Sequence, residues 1–115
     1  MFIFFICIDE KVFWKNVMTS KNEILSVIRM HKQQIASYGV TKIGLFGSFV
    51  RNEQHSHSDI DILVDFDPTK ETFDNFMNLY NYLEDLFADK RIEVLTVNGL
   101  SPHIGQYILK EVNYV

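Results

Sequence analysis

Two aspartates, Asp59 and Asp61, are one residue apart at the start of an apolar stretch that ends at Phe66. The alternating pattern of this stretch predicts a strand, although strands usually avoid aspartate. Because successive side chains of a strand point to opposite faces, both carboxylates lie on one face, and Ile60, Ile62 and Val64 lie on the other. Glu93 interrupts a later apolar stretch and stands beside the aspartates if the two strands are neighbours. The three residues therefore predict a cluster of carboxylates on one face of a sheet.

Three clustered carboxylates repel one another, and two unit charges about 4 Å apart cost roughly 4 kcal/mol at an effective dielectric constant near 20. The repulsion is offset either by a raised pKa, which keeps one group protonated, or by a divalent cation. Carboxylate oxygens suit Mg²⁺, and two such ions can clamp the attacking and leaving oxygens of a phosphoryl displacement. For an Asp-x-Asp pair alone, the alternative is the solvated end of a strand.

The Gly47-Ser48 pair follows an apolar run and begins a stretch that we predict to be a short helix, from Ser48 to about Gln54. Glycine permits a tight turn and a close approach to a ligand, and the amides at a helix N-terminus favour phosphate oxygens. Arg51, one turn further on, either reaches a phosphate or is an exposed surface residue. Alone, the pair is also compatible with an ordinary serine cap. Followed by Asp-x-Asp about ten residues later, it predicts a nucleotide site.

Two histidines, His55 and His57, lie in the polar loop between these elements. Their spacing resembles half of a zinc site, but no cysteine or histidine follows at a spacing that would complete the ligand set. We therefore interpret this loop as a solvated connector.

The pattern of an apolar residue, Gly-Ser, a gap of about ten residues and Asp-Ile-Asp resembles the DNA polymerase β nucleotidyltransferase superfamily. Within that superfamily, the similarity is to the minimal nucleotidyltransferases. The stretches that carry the resemblance are LFGSFVRNEQHSHSDIDILVDF, RIEVLTVNGLSP and YILKEVNYV. The first stretch is highly specific, and the other two agree in order and spacing. Together they extend the similarity from about residue 20 to the end.

The resemblance implies transfer of a nucleotidyl group from a nucleoside triphosphate, usually ATP, on a small sheet flanked by helices. Asp59 and Asp61 match the metal-binding pair of the family, and Glu93 falls where a third carboxylate, most often aspartate, is expected. The implied cofactor is Mg²⁺, as two ions held by these three catalytic residues, with ATP as the substrate.

The same resemblance assigns Gly47 and Ser48 to the turn that binds the triphosphate, with Arg51 as a further nucleotide-binding residue. The family often has Arg-Gly after Gly-Ser-x-x. Here Arg51 is kept, and Asn52 stands in place of the glycine.

Many minimal nucleotidyltransferases are encoded beside a HEPN-domain protein and act as its antitoxin. The resemblance implies that role here: in a complex with a HEPN ribonuclease toxin, the chain transfers AMP to a tyrosine of the toxin and silences it. We expect a protein acceptor because the nucleotide site and a minimal core leave no second domain to recognise one. Three alternatives remain open: an antitoxin that acts by binding only, a nucleotidyltransferase for a small-molecule acceptor such as an aminoglycoside, and an α/β scaffold with accidental motifs.

Seven elements must position these residues. The predicted helices span 21–38, 48–54, 72–88 and 103–111, and the predicted strands span 42–46, 59–66 and 91–97. Ser20 and Glu23 form a capping-box pattern at the start of the first helix. We expect a small α/β or α+β fold with a mixed sheet of three or four strands flanked by helices. The apolar stripe that we expect the third helix to bury consists of Phe73, Phe76, Met77, Tyr80, Leu83 and Phe87.

The composition is that of an ordinary soluble globular domain, with 115 residues, of which 47% are hydrophobic and 23% charged. The net charge of −4 argues against direct nucleic-acid binding, which needs a basic surface, and is compatible with a basic protein partner. The single cysteine excludes an internal disulfide and fits a cytoplasmic protein.

The N-terminal residues, MFIFFICI, are fewer than the roughly 20 apolar residues needed to span a bilayer, and they lack the basic start of a signal peptide. We interpret residues 1–17 as an N-terminal extension, with Met18 as an alternative start, and residues 18–115 as the nucleotidyltransferase domain. An added strand or contact surface is the second interpretation of the extension and membrane association the third. We expect no membrane partner.

Overall fold

The computed structural model describes residues 20–55 and 57–115. The predicted extension over 1–17 and the predicted start of the domain at residue 18 lie outside these residues. The helices are α1 (Lys21–Met30), α2 (Lys32–Ala36), α3 (Phe73–Leu86) and α4 (Pro102–Glu111), and the strands are β1 (Val40–Phe46), β2 (Ile60–Phe66), β3 (Ile92–Thr96) and β4 (Asn113–Tyr114). Single turns of 3-10 helix span Pro68–Lys70 and Val97–Gly99. Within the described residues, no helix has both the length and the apolar character needed to cross a bilayer.

The four strands form one mixed sheet in the order β3-β2-β1-β4. β1 runs antiparallel to β2 and to β4, whereas β2 and β3 are parallel and are connected through α3. The predicted fold class, α+β with a mixed sheet flanked by helices, is confirmed. Because β2 and β3 are parallel, both begin at the same end of the sheet. This is the end at which the three carboxylates lie.

The two faces of the sheet pack against different helices. One face forms the larger core with α1, α2 and α3. The other face, which Leu63 shares with Asp61, packs on α4 through a smaller cluster made of Phe46, Leu63 and Ile108. The carboxylate face is therefore the α4 face. The side chains of the larger core with no measurable exposure are Ile24, Ile28, Leu45, Ile60, Ile62, Val64, Leu79 and Leu83.

α3 buries a different stripe from the one that its apolar residues predicted. Leu83 and Phe87 are buried as expected, but so is Leu79, which was not in the predicted stripe. Phe73 is 76% exposed, so the prediction is wrong for that residue. At about 100° per residue, Phe73 lies roughly 240° around the helix from Leu79, and it therefore points away from the core.

The first predicted helix, 21–38, is interrupted at His31. The Ser20 cap is confirmed, because Ser20 Oγ accepts a hydrogen bond from the Glu23 amide at 3.3 Å. At His31 the backbone amide donates to the carbonyl of Ile28 at 3.1 Å, three residues back, instead of to Val27. The His31 ring Nδ1 lies 2.8 Å from that Val27 carbonyl oxygen. The histidine side chain thus replaces a helical backbone bond, and a second short helix begins after it.

Candidate active site

The Asp-x-Asp pair and Glu93 lie at one end of the parallel strand pair. In the register of β2 and β3, Asp61 is directly paired with Glu93, and Asp59 immediately precedes β2. The prediction that the two strands are neighbours, with Glu93 beside an aspartate, is therefore confirmed. β2 and β3 are parallel strands connected by a crossover through α3, so the fold brings Asp61 and Glu93 together although they are far apart in the chain.

The surroundings of Asp61 disfavour the charged form of its carboxyl group. Burial, followed by the charges of Glu93 and Asp59, raises the pKa of Asp61 to about 6 from its ordinary value of 3.8. A hydrogen bond with the Glu93 side chain acts in the same direction, and the positive charge of Arg51 opposes it. Asp61 and Glu93 are therefore close enough to share a proton or to share a cation.

Asp59 is oriented differently from Asp61. Its Oδ1 lies 3.9 Å from Nε of Arg91, a side chain that is 90% exposed, so the ion pair is weak. Over residues 20–55 and 57–115, no three or more His, Cys, Asp or Glu side chains are gathered closely enough to hold a metal ion. The structure thus brings two of the three predicted carboxylates together, and it leaves the third beside an arginine.

Gly47 brings the predicted phosphate-binding turn into contact with Asp61. Phe46, the last residue of β1, is paired with Asp61 across the sheet, and the chain turns at Gly47 with a φ angle of 82°. A Cβ atom at this position would overlap Oδ2 of Asp61, so no side chain fits. Glycine is required here for its backbone angle and for the space. The predicted proximity of turn and carboxylates is therefore observed.

The short helix predicted over 48–54 is wrong. The amides of Val50 and Arg51 both donate to the carbonyl of Gly47 at 3.1 Å, which makes a single turn. Asn52 then adopts a left-handed conformation with a φ angle of 58°, which a right-handed helix does not allow. Asparagine is one of the few non-glycine residues that tolerate this conformation well. Any phosphate contact here depends on individual amides and side chains and not on a helix dipole.

Glu111, the last residue of α4, is a member of the site that the motifs did not reveal. Its Oε2 accepts a hydrogen bond of 2.7 Å from the amide of Gly47. Both of its carboxylate oxygens accept from Nη1 of Arg51, at 3.0 and 3.1 Å. An acidic residue at the C-terminal end of a helix is electrostatically unfavourable unless it is paired, and that misplacement is the signal that could have identified Glu111.

Arg51 is held between two carboxylates. Its Nε donates to Glu53 Oε1 at 2.8 Å, and its Nη1 binds Glu111. The hydrogen bond to Glu53, followed by that to Glu111, raises the pKa of Arg51 above its ordinary value, so the guanidinium stays charged. The side chain is 49% exposed, and it lies at the turn and not on a remote surface. Ser48, the other polar residue of the turn, is partly exposed.

The histidines of the connecting loop are held by local hydrogen bonds. The His57 amide donates to Nδ1 of His55 at 3.1 Å, and the His55 amide donates to Oγ of Ser58 at 2.8 Å. Both rings are exposed, and their centroids are 6.4 Å apart. This arrangement agrees with a solvated connector.

A cavity of about 520 Å³ opens between the end of α3 and the start of β3. It is lined by Tyr80, Glu84, Asp85, Lys90 and Arg91, among others, but by none of the three carboxylates. The carboxylates lie at the end of the sheet, where Glu93 is exposed and Asp59 and Asp61 are partly exposed.

Residues 22–115 match the family model of the polymerase beta nucleotidyltransferases. The chain is 38% identical to a protein adenylyltransferase, MntA, of Thermococcus cleftensis, over 85% of this chain and 98% of that relative. A solved structure described as a candidate minimal nucleotidyltransferase superposes with a TM-score of 0.71 at 25% identity, and covers 84% of this chain and 97% of its own. A crystal structure of a toxin–antitoxin with AMP-PNP has a TM-score of 0.53 at 22% identity, and covers 82% of this chain and 70% of its own. This last likeness shows the fold alone.

Proposed function

Because the chain belongs to the polymerase β nucleotidyltransferase family, we propose that it is an Mg²⁺-dependent protein adenylyltransferase and the antitoxin of a toxin–antitoxin pair. Its substrate is ATP, and its acceptor is a tyrosine of a HEPN-domain ribonuclease toxin. The predicted family and enzyme class, a nucleotidyltransferase, are confirmed. The metal, the acceptor and the partner are our proposal. The observation that supports it best is the Asp61–Glu93 pair in contact with the turn at Gly47.

The turn supplies the contacts for the phosphates of ATP. Gly47 has no side chain of its own and contributes its amide, Ser48 adds a hydroxyl, and Arg51 adds a permanent positive charge. Amides and guanidinium groups are the donors that proteins use for phosphate oxygens. The toxin–antitoxin structure with AMP-PNP concerns another protein and shares the fold of this chain.

The carboxylates supply the ligands for magnesium. Asp61 and Glu93 are side by side, and Asp59, which lies near Arg91 in the structure, would be the third ligand. The fit rests on two observations: every donor is a hard oxygen, and the charges of Glu93 and Asp59 add to burial in raising the pKa of Asp61. Bound Mg²⁺ would neutralise the phosphate charge during transfer.

The transfer itself is a single displacement at the α-phosphorus of ATP. The tyrosine oxygen forms the new bond, the bond to the bridging oxygen breaks, and pyrophosphate leaves with that electron pair. Glu93, on β3 at the edge of the sheet, accepts the phenolic proton. The Gly47 amide and Arg51 stabilise the charge on the departing pyrophosphate.

The toxin partner is supported by similarity. The Thermococcus relative is a protein adenylyltransferase, and a toxin–antitoxin structure has the same fold. A protein acceptor also agrees with a site that lies on the surface at one end of the sheet. A cytoplasmic location is part of the same proposal, because the reaction consumes ATP and the single cysteine needs no oxidising compartment.

A second candidate, an antitoxin that neutralises its toxin by binding alone, is favoured by one observation. Asp59 is engaged with Arg91, and the three carboxylates do not converge within the described residues. Glu93 is also one methylene longer than the aspartate that is usual in the family. Under this alternative, AMP transfer would be absent and protection from the toxin would remain.

Intact-mass spectrometry of the toxin separates the two candidates. The chain is incubated with a candidate HEPN toxin, ATP and Mg²⁺, and we expect the toxin to gain the mass of AMP. Asp61→Asn should reduce the rate at least about a hundredfold, because it removes one carboxylate ligand from the metal site. Asp65→Asn, on the same face of β2 but away from Glu93, is the matched control and should keep the rate.

Two outcomes would contradict the proposal. AMP transfer by Asp61→Asn at the wild-type rate would mean that the metal assignment is wrong. Full protection of toxin-expressing cells by a variant with Asp59, Asp61 and Glu93 all replaced would favour neutralisation by binding alone.

A further inference from the structure

Glu111 contacts two of the three groups that the proposed function assigns to the triphosphate. Its carboxylate accepts a hydrogen bond from the Gly47 amide at 2.7 Å and two from the Arg51 guanidinium at 3.0 and 3.1 Å. A carboxylate and a phosphate oxygen use identical donors, an amide N–H and a guanidinium fork. One carboxylate oxygen of Glu111 therefore lies where a phosphate oxygen bound to this turn would lie.

The position of Glu111 is not explained by the helix that carries it. Glu111 is the last residue of α4, where the helix dipole disfavours a negative charge. Its side chain is only 25% exposed, although it belongs to neither of the hydrophobic clusters. The hydrogen bonds to Gly47 and Arg51 are what hold the charge in place, over a separation of 64 residues in the chain.

We propose that Glu111 is a specificity-determining residue of the nucleotide site: its carboxylate competes with the phosphates of the substrate for the Gly47 amide and Arg51. This inference rests on the assignment of that turn to the triphosphate. A ligand must displace Glu111 from both donors to bind. The carboxylate carries one negative charge and a triphosphate several, so ligands with a full triphosphate displace it more readily than ligands with fewer phosphates.

Glu53 provides an internal comparison. It is also a carboxylate bound to Arg51, through Nε at 2.8 Å, but among its hydrogen bonds there is none to the Gly47 amide. Its side chain is 63% exposed, so water screens its charge. Removal of the Glu53 charge therefore changes the environment of Arg51 without freeing the turn.

The test is calorimetric titration of the folded chain with two probes, ATP and tripolyphosphate, in the presence of Mg²⁺. Glu111→Gln should bind both probes about tenfold more tightly than the wild type, which corresponds to about 1.4 kcal/mol. The glutamine still accepts a hydrogen bond from the Gly47 amide, so the turn keeps its shape. Glu53→Gln, the matched control, should stay within about twofold of the wild type.

The inference is overturned if Glu111→Gln binds the probes no more tightly than the wild type, or if Glu53→Gln gains as much. A shortened acid, Glu111→Asp, keeps the charge but retracts it from Gly47, and should give a smaller gain of the same sign. Thermal unfolding of each variant confirms that it is folded. Should Glu111→Gln unfold at the assay temperature, the sign of the change in Glu111→Asp decides the question.

Failure of this inference can be distinguished from failure of the proposed function. If wild-type chain transfers AMP to the toxin but Glu111→Gln shows no gain in binding, only the role of Glu111 is refuted. If no transfer occurs but Glu111→Gln binds tripolyphosphate more tightly, the competition at the anion site stands and the proposed reaction is refuted.

Discussion

At the scale of single residues, Asp61 couples the site to the stability of the protein. Its folded-state pKa of about 6 exceeds the ordinary 3.8, so the folded chain holds a proton over this interval more often than the unfolded chain. The free energy of unfolding should therefore contain a contribution that is present below pH 3.8 and is lost as the pH rises through about 6. At neutral pH Asp61 is mostly charged, and this contribution to the free energy of unfolding is then mostly lost.

We expect Asp61→Asn to be more stable than the wild type at pH 7 in the absence of Mg²⁺, by about 1 kcal/mol. This is well below what the whole pKa shift implies, because the side chain is partly exposed and water screens its charge. The gain should disappear below about pH 4, which urea unfolding at several pH values measures. Asp65→Asn is the control on the same strand, and an equal gain there would show that general charge reduction is the cause.

At this scale, most residues of the candidate site can be proposed from the sequence alone. Asp59, Asp61, Gly47 and Ser48 belong to a single local pattern, which can be recognised without knowledge of the fold. Glu111 could not be found in this way, because only the fold brings it to Gly47 from 64 residues away. The orientation of Asp59 toward Arg91 was equally invisible, since it depends on a side-chain rotamer.

At the scale of elements, the end of β1 is shaped by the segment that connects α4 to β4. A Cβ atom on Gly44 would lie 2.7 Å from Cγ2 of Val112 and 2.8 Å from the carbonyl oxygen of Asn113. These distances are shorter than real contacts, and a backbone oxygen cannot easily move away. Gly44 is therefore required for β4 to pair with β1, and for α4 to end beside the turn.

We expect Gly44→Ala to lower the free energy of unfolding by about 1–3 kcal/mol, as is usual when an extra carbon is forced into a packed site. Chemical denaturation with urea measures the effect. An unchanged midpoint would mean that β4 can shift without cost, and that its two-residue pairing with β1 does not contribute to stability.

The boundaries of helices and strands could be predicted where the periodicity of apolar residues determines them. They could not be predicted where one side chain ends an element. The three longer strands and α4 lie close to their predicted positions because their apolar patterns are clear. The break at His31 arises because its ring takes the place of a backbone donor at Val27. The turn after Gly47 failed to become a helix because Asn52 adopts a left-handed conformation.

At the scale of the whole molecule, the sheet separates the larger hydrophobic core, on one face, from the candidate site, on the other. The larger core lies on the face that packs on α1, α2 and α3, whereas the smaller cluster of Phe46, Leu63 and Ile108 lies on the carboxylate face. A cavity in the larger core should weaken the fold, and a cavity in the smaller one should mainly disturb the position of α4.

We expect Leu79→Ala to cost about 2–5 kcal/mol in stability and to keep AMP transfer at temperatures where the variant is folded. Ile108→Ala should cost less, because Ile108 is 8% exposed, but should reduce transfer more, since it belongs to the same cluster as Phe46, which precedes the Gly47 turn. Urea unfolding and transfer rates measured on both variants check this. A larger loss of transfer in Leu79→Ala would contradict the division between the two faces.

The origin of the site residues has a thermodynamic consequence. Gly47, Asp61, Glu93 and Glu111 come from four segments of the chain, so the unfolded chain contains no site at all. Any ligand of this site therefore binds the native state alone and stabilises it by mass action. A ligand at a hundredfold excess over its dissociation constant adds about 2.7 kcal/mol, which is a large share of the stability of a small domain. In a cell, the supply of nucleotide would then help to set how much of this protein is folded at any moment, and how long it escapes proteolysis.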